Sequence, residues 1–386
     1  MDTKVLIIGA GPSGLLLSLL LTQNNIDNIV LEKQTANHVV NRIRAGILEP
    51  GTVNILKKAG IGNRLSKEAI SHNGFSIAFN DKIYNINIKK LVNNTVTVYG
   101  QTEVTKDLMK KLAKINSKIL YQVSNTKILN ILKPKVELTH NKKKILVNSN
   151  FIVGCDGYHG ITKNYIPKNI KTVYEKKYNF AWLGLLSDTK PVAKELLYIN
   201  NKNGFALCSM RSTTRSRYYI QCSAKENIKN WSDDRFWENL YRTLPSNVKE
   251  KLQTGPSIEK SIAKLRSYVM EPMSYKNIFL AGDAAHIVPP TGAKGLNLAL
   301  NDIKLLNSAF KSYFHNNSET ELKSYSNNCL KRVWKTQVFS SWFTNILHTF
   351  PDEDTFAKKM KYHKLQKLMN SSNEKIQLAN NYLGKY

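Results

Sequence analysis

The sequence lacks the cysteine patterns of secreted or zinc-binding proteins. Its four cysteines, Cys155, Cys208, Cys222 and Cys329, are widely spaced and form no CxxC pair. Disulfide-rich secreted domains and zinc sites both need cysteines at closer, paired spacings. The sequence therefore predicts reduced thiols, a cytoplasmic location and no metal site.

Long apolar runs and repeats are also missing. The longest apolar run, near residues 15–21, is shorter than the ~20 residues that cross a bilayer, so no membrane segment is predicted. Gly9, Gly11, Pro12 and Gly14 interrupt the apolar N-terminus, and no small-residue cleavage site follows, so we interpret this stretch as mature protein. With 386 residues, 42% of them hydrophobic, the chain can form two or three domains.

Acidic residues are scarce. The chain has 57 Lys and Arg but 28 Asp and Glu, a formal net charge of 57 − 28 = +29. Such a charge attracts anions, from nucleic acids and acidic lipids to benzoates and nicotinamide dinucleotides. The lysines are dispersed and are not interleaved with aromatics, so we favour a compositional bias of the surface over a nucleic-acid partner.

The N-terminus has the pattern of a dinucleotide-binding unit. The apolar strand KVLII leads into GAGPSG (9–14), a helical run and the strand NIVLE, which ends at Glu32. Gly9 permits a tight turn, Gly11 lets a pyrophosphate approach the backbone, and Gly14 allows the helix to pack on the strand. The helix N-terminus attracts the phosphates, and Glu32 can accept hydrogen bonds from ribose. A second fingerprint of this kind is absent, so any further nucleotide is expected to bind elsewhere and transiently.

Later segments indicate an α/β fold with two sheets. FIVGCDGYHG (151–160) and IFLAGDA (278–284) are apolar strands that end in Gly and Asp, which favours one parallel sheet with its ligand at the strand C-termini. Short β-type runs between about 180 and 270 predict a separate, mostly antiparallel sheet, and the chain after Gly295 is helical. We expect a dinucleotide-binding domain over 1–177, a substrate domain over 178–268 and a helical region over 269–386.

The hairpin at 204–223 suggests a site for a small anion. Side chains alternate along a strand, so Ser209 and Arg211 share a face. With a turn at 212–216, the return strand places Arg217 opposite Arg211 and Tyr219 opposite Ser209. Opposed arginines repel each other unless an anion such as a carboxylate lies near them. The alternative is a solvated face of a basic protein.

The motifs GAGPSG, CDGYHG and GDAAHIVPPTGAKGLN together resemble the class A flavoprotein aromatic hydroxylases. Within that family, RIRAGILEPG (42–51), VYGQTEVTKDL (98–108) and CSMRSTTRSRYY are most similar to the branch that hydroxylates 4-hydroxybenzoate. The resemblance runs from Lys4 to the C-terminal NNYLG. It implies a glutathione-reductase-type FAD-binding domain with a parallel sheet, a mostly antiparallel substrate sheet to which residues of about 71–97 contribute, and C-terminal helices.

The resemblance also implies how FAD is held. Asp283 is expected at the ribityl chain, the loop 289–295 along the flavin, and the backbone N–H groups of Leu296 and Asn297 at its pyrimidine edge. Lys294 and Arg217 are expected to influence the charge and position of the flavin. The other implied FAD contacts, besides the glycines, are Ser13, Glu32, Arg42, Arg44 and Gln101.

A second set of residues is implied for the substrate. Tyr198 is expected to bind the substrate phenol and pass its proton through Tyr382 to His72, with the carbonyl of Pro290 near the same hydroxyl. The residues expected at the substrate carboxylate are Ser209, Arg211 and Tyr219.

The implied reaction is hydroxylation of 4-hydroxybenzoate to 3,4-dihydroxybenzoate with NAD(P)H and with O2 activated at the flavin C4a atom, in a homodimer. Lys33 and His38 replace an arginine and a tyrosine frequent in NADPH-dependent members, which leaves NADPH and NADH open. The residues expected at the nicotinamide nucleotide are Lys33, His38, Arg44, His159 and Arg266. Two alternatives are a related hydroxylase of another hydroxy- or aminobenzoate, and a non-catalytic basic flavoprotein with an anionic partner.

Overall fold

The computed structural model of the chain describes residues 1–41 and 46–386. In this part of the chain the strands, numbered β1 to β19 in order, are Asp2–Ile8, Asn28–Leu31, Ile47–Leu48, Ile70–His72, Phe75–Phe79, Lys82–Ile86, Val96–Val98, Lys118–Leu120, Ser124–Asn130, Lys135–His140, Lys143–Gly154, Thr172–Ser187, Leu196–Asn201, Gly204–Met210, Ser216–Ser223, Ser257–Glu271, Ser274–Tyr275, Ile278–Leu280 and His286–Ile287. The α-helices, numbered α1 to α12, are Pro12–Gln23, Ala36–Val40, Pro50–Lys58, Gly62–Glu68, Ile88–Val92, Gln101–Lys114, Asp233–Thr243, Ser246–Lys249, Gly295–Asn316, Thr320–Leu347, Thr355–Asn370 and Ser372–Tyr382.

The first sheet is a parallel α/β sheet. Its strand order is β17-β18-β11-β1-β2-β8, and each neighbouring pair from β18 to β8 is parallel. Strands covered on both faces are apolar throughout, which explains why Val5, Leu6 and Ile7 are all fully buried. This sheet confirms the predicted dinucleotide-binding architecture.

The second sheet is mostly antiparallel, as predicted. Its order is β19-β16-β12-β15-β14-β13-β5-β6, with one parallel pair between β13 and β5. One face packs against the C-terminal helices through a cluster that includes Tyr198, Phe343 and Tyr382. The other face packs against α7 through a cluster that includes Phe236 and Trp237.

Strands β12 and β16 are long, and they pass the predicted domain bounds at 177 and 268. Strands β5 and β6, from the predicted segment 71–97, pair at the edge of the second sheet. The three-part division of the chain stays a prediction. Among the described residues, no helix is both long and apolar enough to traverse a bilayer.

The predicted register of the β14–β15 hairpin is wrong by two residues. Ser209, and not Arg211, lies opposite Arg217, and Leu207 lies opposite Tyr219. The N–H of Arg211 donates to the carbonyl of Arg215 at 2.9 Å, so Arg211 belongs to the turn and Ser216 to the strand. A two-residue slip preserves the face of every side chain, because alternation has a period of two. Ser209, Arg217 and Tyr219 therefore still share a face.

Candidate active site

A groove of about 600 Å³ lies at the carboxyl ends of the parallel strands. It brings together residues from the N-terminal fingerprint, the 155–159 turn and the start of α9. Most of the residues predicted for FAD or the nicotinamide nucleotide line it: Gly9, Gly11, Ser13, Glu32, Lys33, His38, Gln101, His159, Arg266, Asp283 and Leu296. Arg42 and Arg44 lie outside the described residues.

The three glycines of GAGPSG have the geometry that a phosphate cradle needs. Gly9 has φ +107°, and an added Cβ would lie 2.3 Å from the carbonyl oxygen of Cys155. At Gly14 an added Cβ would lie 1.9 Å from the carbonyl oxygen of Gly9. At Gly11, in contrast, an added Cβ would meet nothing within 4 Å in the described part of the chain. Two glycines are thus fixed by close backbone packing, and the third leaves backbone open to the groove, which fits a bound pyrophosphate.

Glu32 is fixed at the end of β2 by backbone contacts. One carboxylate oxygen accepts the N–H of Ala10 at 2.8 Å, and the other accepts the N–H of Gln34 at 2.8 Å. The carboxylate oxygens have further lone pairs, so the side chain can still accept from a ribose hydroxyl in the groove.

The N-terminus of α9 presents backbone donors beside the groove. The first N–H groups of a helix have no acceptor within it, and the helix dipole there favours negative charge. Those of Leu296 and Asn297 are in this position. The side chain of Asn297 binds the segment before α3, because its Nδ2 donates to the carbonyl of Ile47 at 2.9 Å and its Oδ1 accepts the N–H of Glu49 at 2.9 Å.

Lys294 lies in a buried ion cluster outside the groove lining. Its Nζ is 2.8 Å from one carboxylate oxygen of Glu49 and donates to the carbonyl of Tyr382 at 2.6 Å. Arg332 binds the second oxygen of Glu49 at 2.7 Å. Burial lowers the pKa of Lys294, and the charge of Glu49 opposes this effect. The influence of Lys294 on the flavin stays a prediction.

Tyr198 and Tyr382 form a buried hydroxyl pair. Their oxygens are 2.8 Å apart, and Tyr198 Oη donates to the carbonyl of Thr291 at 3.0 Å. Since Tyr198 has a single hydroxyl proton, Tyr382 must be the donor between the two phenols. Burial, followed by the contact with Tyr382, raises the pKa of Tyr198, so its phenol stays neutral. The pair can therefore hold and transfer a proton out of contact with water.

Arg217 lies on the same sheet face as this pair, and Arg211 lies in the adjoining turn. Arg217 is 4% exposed, forms an ion pair with Glu259 and donates to Ser261 Oγ at 3.2 Å. Burial lowers the pKa of Arg217, and the nearby charge of Arg211 acts in the same direction. Arg211 is half-buried, and within the described residues its side chain has no carboxylate partner. Of the two guanidinium groups, Arg211 is thus the one available to a ligand.

Two residues predicted for the reaction have unexpected surroundings. The ring nitrogens of His72 are buried and have no hydrogen-bond partner among residues 1–41 and 46–386, so no direct bond connects His72 to Tyr382. Burial lowers the pKa of His72, opposed by the charge of Glu195. The carbonyl of Pro290 accepts the N–H of Ala293 at 2.8 Å. The residue whose carbonyl contacts Tyr198 is the next one, Thr291.

Comparison with known proteins identifies the family. The family profile of the FAD binding domain matches residues 2–340. The p-hydroxybenzoate hydroxylase of Acinetobacter baylyi is 47% identical over 386 residues, which span 100% of this chain and 96% of that protein. The chain belongs to the FAD-dependent aromatic hydroxylases.

More distant proteins resemble this hydroxylase in sequence or in fold. A kynurenine 3-monooxygenase of Dictyostelium discoideum is 21% identical over 358 residues, covering 87% of this chain and 75% of that protein. The crystal structure of a p-nitrophenol 4-monooxygenase from Pseudomonas putida superimposes with a TM-score of 0.86 at 16% identity, covering 100% of this chain and 98% of that one. A probable FAD-dependent monooxygenase from Pseudomonas aeruginosa gives a TM-score of 0.80 at 16% identity, over 95% and 100% of the two chains.

FAD is therefore the cofactor of this hydroxylase, and the groove fits it. NAD(P)H and O2 are the usual co-substrates of the enzyme class. Lys33, His38, His159 and Arg266 lie along the same groove as the FAD set. Arg266 is held over the ring of Tyr158, 4.2 Å from its centroid, and 3.3 Å from Glu175. Lys33 and Arg266 give this edge of the groove positive charge, and the binding of a nicotinamide dinucleotide there stays a prediction.

Several residues of the site were missed by sequence reasoning. Thr291 stands beside the predicted Pro290, and Glu259 binds the predicted Arg217. Glu49 connects Lys294 to Arg332 and lies 3% exposed. A carboxylate in the apolar context ILEPG is a signal that could have marked Glu49, because buried acids are nearly always paired.

Proposed function

We propose that this hydroxylase converts 4-hydroxybenzoate to 3,4-dihydroxybenzoate. The observation that carries the proposal is the buried Tyr198–Tyr382 pair on the sheet face that also bears Ser209, Arg217 and Tyr219. Tyr198 is on β13 and Tyr219 on β15, in register through Leu207 of β14. Neighbouring strands are ~4.8 Å apart, so the two tyrosine Cα atoms are separated by about 10 Å.

That separation favours an acid with its two polar groups on opposite sides of one aromatic ring. The carboxylate would be bound by Arg211, Ser209 and Tyr219 through charge-assisted hydrogen bonds. The phenol would then point to Tyr198. An ortho-hydroxy acid would present both groups to the same end and leave Tyr198 bound to Thr291. Gly184, opposite Tyr219, supports this arrangement, because a Cβ there would lie 2.8 Å from the ring of Tyr219 and 2.8 Å from Arg217 Nη2.

Bound FAD supplies the redox chemistry, namely reduction by NAD(P)H and activation of O2. The protein's part is to raise the electron density of the ring by removing the phenol proton. Tyr198 Oη would accept that proton while its own hydroxyl turns from the Thr291 carbonyl to donate to Tyr382 Oη, and the hydroxyl of Tyr382 turns away to release its proton. Buried polar atoms without a protein partner commonly bind water, so we propose that a water carries the proton onward from Tyr382 to His72.

The other proposed properties concern the reductant and the assembly. Lys33 and His38 lie at the groove with charge suited to a 2′-phosphate, and we propose NADPH as reductant with NADH as the alternative. We also propose a homodimeric, cytoplasmic enzyme of aromatic catabolism, by analogy with the family. Size-exclusion chromatography with light scattering tests whether the enzyme is a homodimer.

A panel of 2-, 3- and 4-hydroxybenzoate and 4-aminobenzoate, each with NADPH and NADH, tests the function. The purified holoenzyme should oxidise NAD(P)H fastest with 4-hydroxybenzoate. Chromatography should detect one equivalent of 3,4-dihydroxybenzoate for each NAD(P)H oxidised. Faster turnover with matched product from another acid would assign the enzyme to that acid. Nicotinamide oxidation that yields peroxide without a catechol for every acid would contradict the proposal.

A further inference from the structure

A buried histidine outside the predicted site binds the second sheet beside the substrate-facing row. His348 follows the last turn of α10 and is fully buried. Its Nε2 is 2.7 Å from Trp182 Nε1, and its Nδ1 is 2.8 Å from the carbonyl of Thr344. An indole nitrogen can only donate, so Nε2 is the acceptor and Nδ1 carries the proton. Burial lowers the pKa of His348 to about 3, so this neutral tautomer persists at physiological pH.

The surrounding rings fix the imidazole further. It stacks on Phe205 with centroids 4.0 Å apart and on Phe180 at 4.6 Å. The neighbouring backbone is bound to the same part of the sheet. Asn200 Nδ2 donates to the carbonyl of Leu347 at 3.0 Å, and Gln221 Nε2 donates to that of Thr349 at 2.5 Å.

From His348, contacts lead to the carboxylate end of the proposed substrate site. Trp182 packs against the ring of Tyr219 with centroids 5.2 Å apart. Trp182 stands two residues from Gly184, whose partner across the strands is Tyr219. A rotation of the indole would therefore displace Tyr219, which has no room to move toward Gly184 without meeting its backbone.

Contacts in the other direction lead to the phenol end. Thr344 Oγ1 donates to the carbonyl of Ser340 at 2.7 Å, and it is 2.8 Å from Thr291 Oγ1, which must then be the donor. The carbonyl of Thr291 accepts the hydroxyl proton of Tyr198. The pair Thr344 and His348, one helical turn apart, is thus connected to both ends of the site, through Thr291 and through Trp182.

We propose that His348 and Thr344 are positioning residues that set the two ends of the substrate site relative to each other, His348 through Trp182 and Tyr219, and Thr344 through Thr291 and Tyr198. This inference rests on the proposed function, because it assumes an aromatic acid between those ends. His348 should govern the affinity for the acid, and Thr344 should govern the rate of hydroxylation.

The test is a double-mutant cycle in the FAD-loaded enzyme with Trp182→Phe, His348→Phe and the double variant. Acid affinity is measured from the flavin absorbance change on titration with 4-hydroxybenzoate, and turnover is measured separately. Each single variant leaves one buried polar group unpaired and should weaken binding about three- to tenfold, with kcat within about twofold. The double variant removes both partners and should bind no more weakly than either single variant.

Trp237→Phe is the matched control. Trp237 belongs to α7, which packs against the opposite face of the same sheet, and its Nε1 donates to the carbonyl of Gly255 at 3.0 Å. It should lower the thermal stability as Trp182→Phe does, without changing acid affinity. Thr344→Val, nearly equal in shape, should reduce the yield of hydroxylated product per NAD(P)H by about threefold or more while acid affinity stays unchanged.

Unchanged acid affinity in both Trp182→Phe and His348→Phe would overturn the inference while leaving the proposed function intact. An equal loss of affinity in Trp237→Phe would overturn it as well, because a general loss of packing would then explain the effect. A wild-type enzyme that bound none of the hydroxybenzoates would instead contradict the proposed function and, with it, this inference.

Discussion

The cofactor groove and the substrate face of the second sheet differ in the atoms that form them. In the groove, the turn that fits a pyrophosphate is glycine backbone, and its glycines, Gly9, Gly11 and Gly14, are neighbours in sequence. At the substrate face, side chains make the contacts, and Tyr198 reaches partners 93 and 184 positions away. A substitution in the groove acts mainly by steric conflict, whereas one on the sheet removes a hydrogen bond or a charge. Substitutions in the groove should therefore change stability and FAD content, whereas those on the sheet should change acid affinity or the rate of hydroxylation.

Gly9→Ala should have the largest effect. Its φ of +107° strains any L side chain, and the new Cβ would lie 2.3 Å from a backbone carbonyl oxygen. We expect a loss of about 3 kcal/mol or more in the free energy of unfolding, with protein purified largely without FAD. Thermal unfolding measures the loss of stability, and the ratio of flavin absorbance to protein absorbance measures the FAD content.

Gly11→Ala is the matched control within the same motif. Gly11 has an ordinary φ, and an added Cβ has open space among the described residues. The apoprotein should keep its melting temperature while FAD affinity falls about tenfold or more, because the methyl group would keep the pyrophosphate from the backbone. Unchanged FAD affinity in this variant would show that the open backbone at Gly11 is not a phosphate contact.

Tyr198→Phe should leave the groove intact and impair the chemistry. Without the hydroxyl, the substrate phenol has no acceptor for its proton, and we expect hydroxylation about 100-fold slower with normal FAD content. Acid affinity should change far less. Rapid-mixing absorbance of product formation separates the two effects.

The control is Tyr218→Phe, since Tyr218 is equally buried but belongs to the cluster on the opposite face of the sheet. It should hydroxylate at close to the wild-type rate. Equal losses in the two variants would mean that Tyr198 acts through packing and not through its hydroxyl.

The contrast between the regions also explains what the sequence could predict. The motif GAGPSG followed by a helix and Glu32 is governed by local rules of backbone approach, so the strand, turn and helix around Gly9, Gly11 and Gly14 are confirmed. Apolar strands that end in Gly or Asp likewise predicted the parallel sheet. The side-chain faces of β14 and β15 followed from alternation alone.

The register of that hairpin could not be predicted in the same way. The turn RSTTR has none of the Asn-Gly or Gly-Gly pairs that fix the length of a hairpin loop. Two strand registers that differ by two residues therefore place the same side chains on each face, and the sequence does not distinguish them. The link from Tyr198 to Thr291 was missed because it depends on how the 290–292 turn packs on β13. The Trp182–His348 contact joins residues 166 positions apart, and no local pattern marks it.

Arg211→Ala should have an intermediate effect confined to substrate binding. A charge-assisted hydrogen bond contributes about 1.5–3 kcal/mol, so acid affinity should fall roughly 10- to 100-fold. FAD content should not change, because Arg211 lies in the β14–β15 turn, away from the groove lining. Titration of the flavin absorbance with 4-hydroxybenzoate is the measurement.

Arg215→Ala, in the same turn, is the control. Arg215 is exposed and binds Asp188 at 2.6 Å, an arrangement that contributes little to stability. It should change acid affinity less than about twofold. A similar loss in both variants would show that the turn attracts the acid by its overall charge and that Arg211 makes no specific contact.

The smallest effect concerns stability below neutral pH. The pKa of His348 is lowered to about 3 by burial, whereas an unfolded histidine has a pKa near 6.5. The unfolded state therefore binds more protons between these values, so the contribution of neutral His348 is present above pH ~6.5 and is lost as the pH falls toward 3. Between pH 6.5 and 5.5 this term should remove about 1 kcal/mol from the free energy of unfolding.

The double variant Trp182→Phe/His348→Phe lacks this histidine. In denaturant titrations at pH 6.5 and 5.5, its free energy of unfolding should therefore fall by about 1 kcal/mol less than that of the wild type. An identical pH dependence in both proteins would mean that His348 takes up a proton in the folded enzyme, and that its bond to Trp182 is weaker than the 2.7 Å contact indicates.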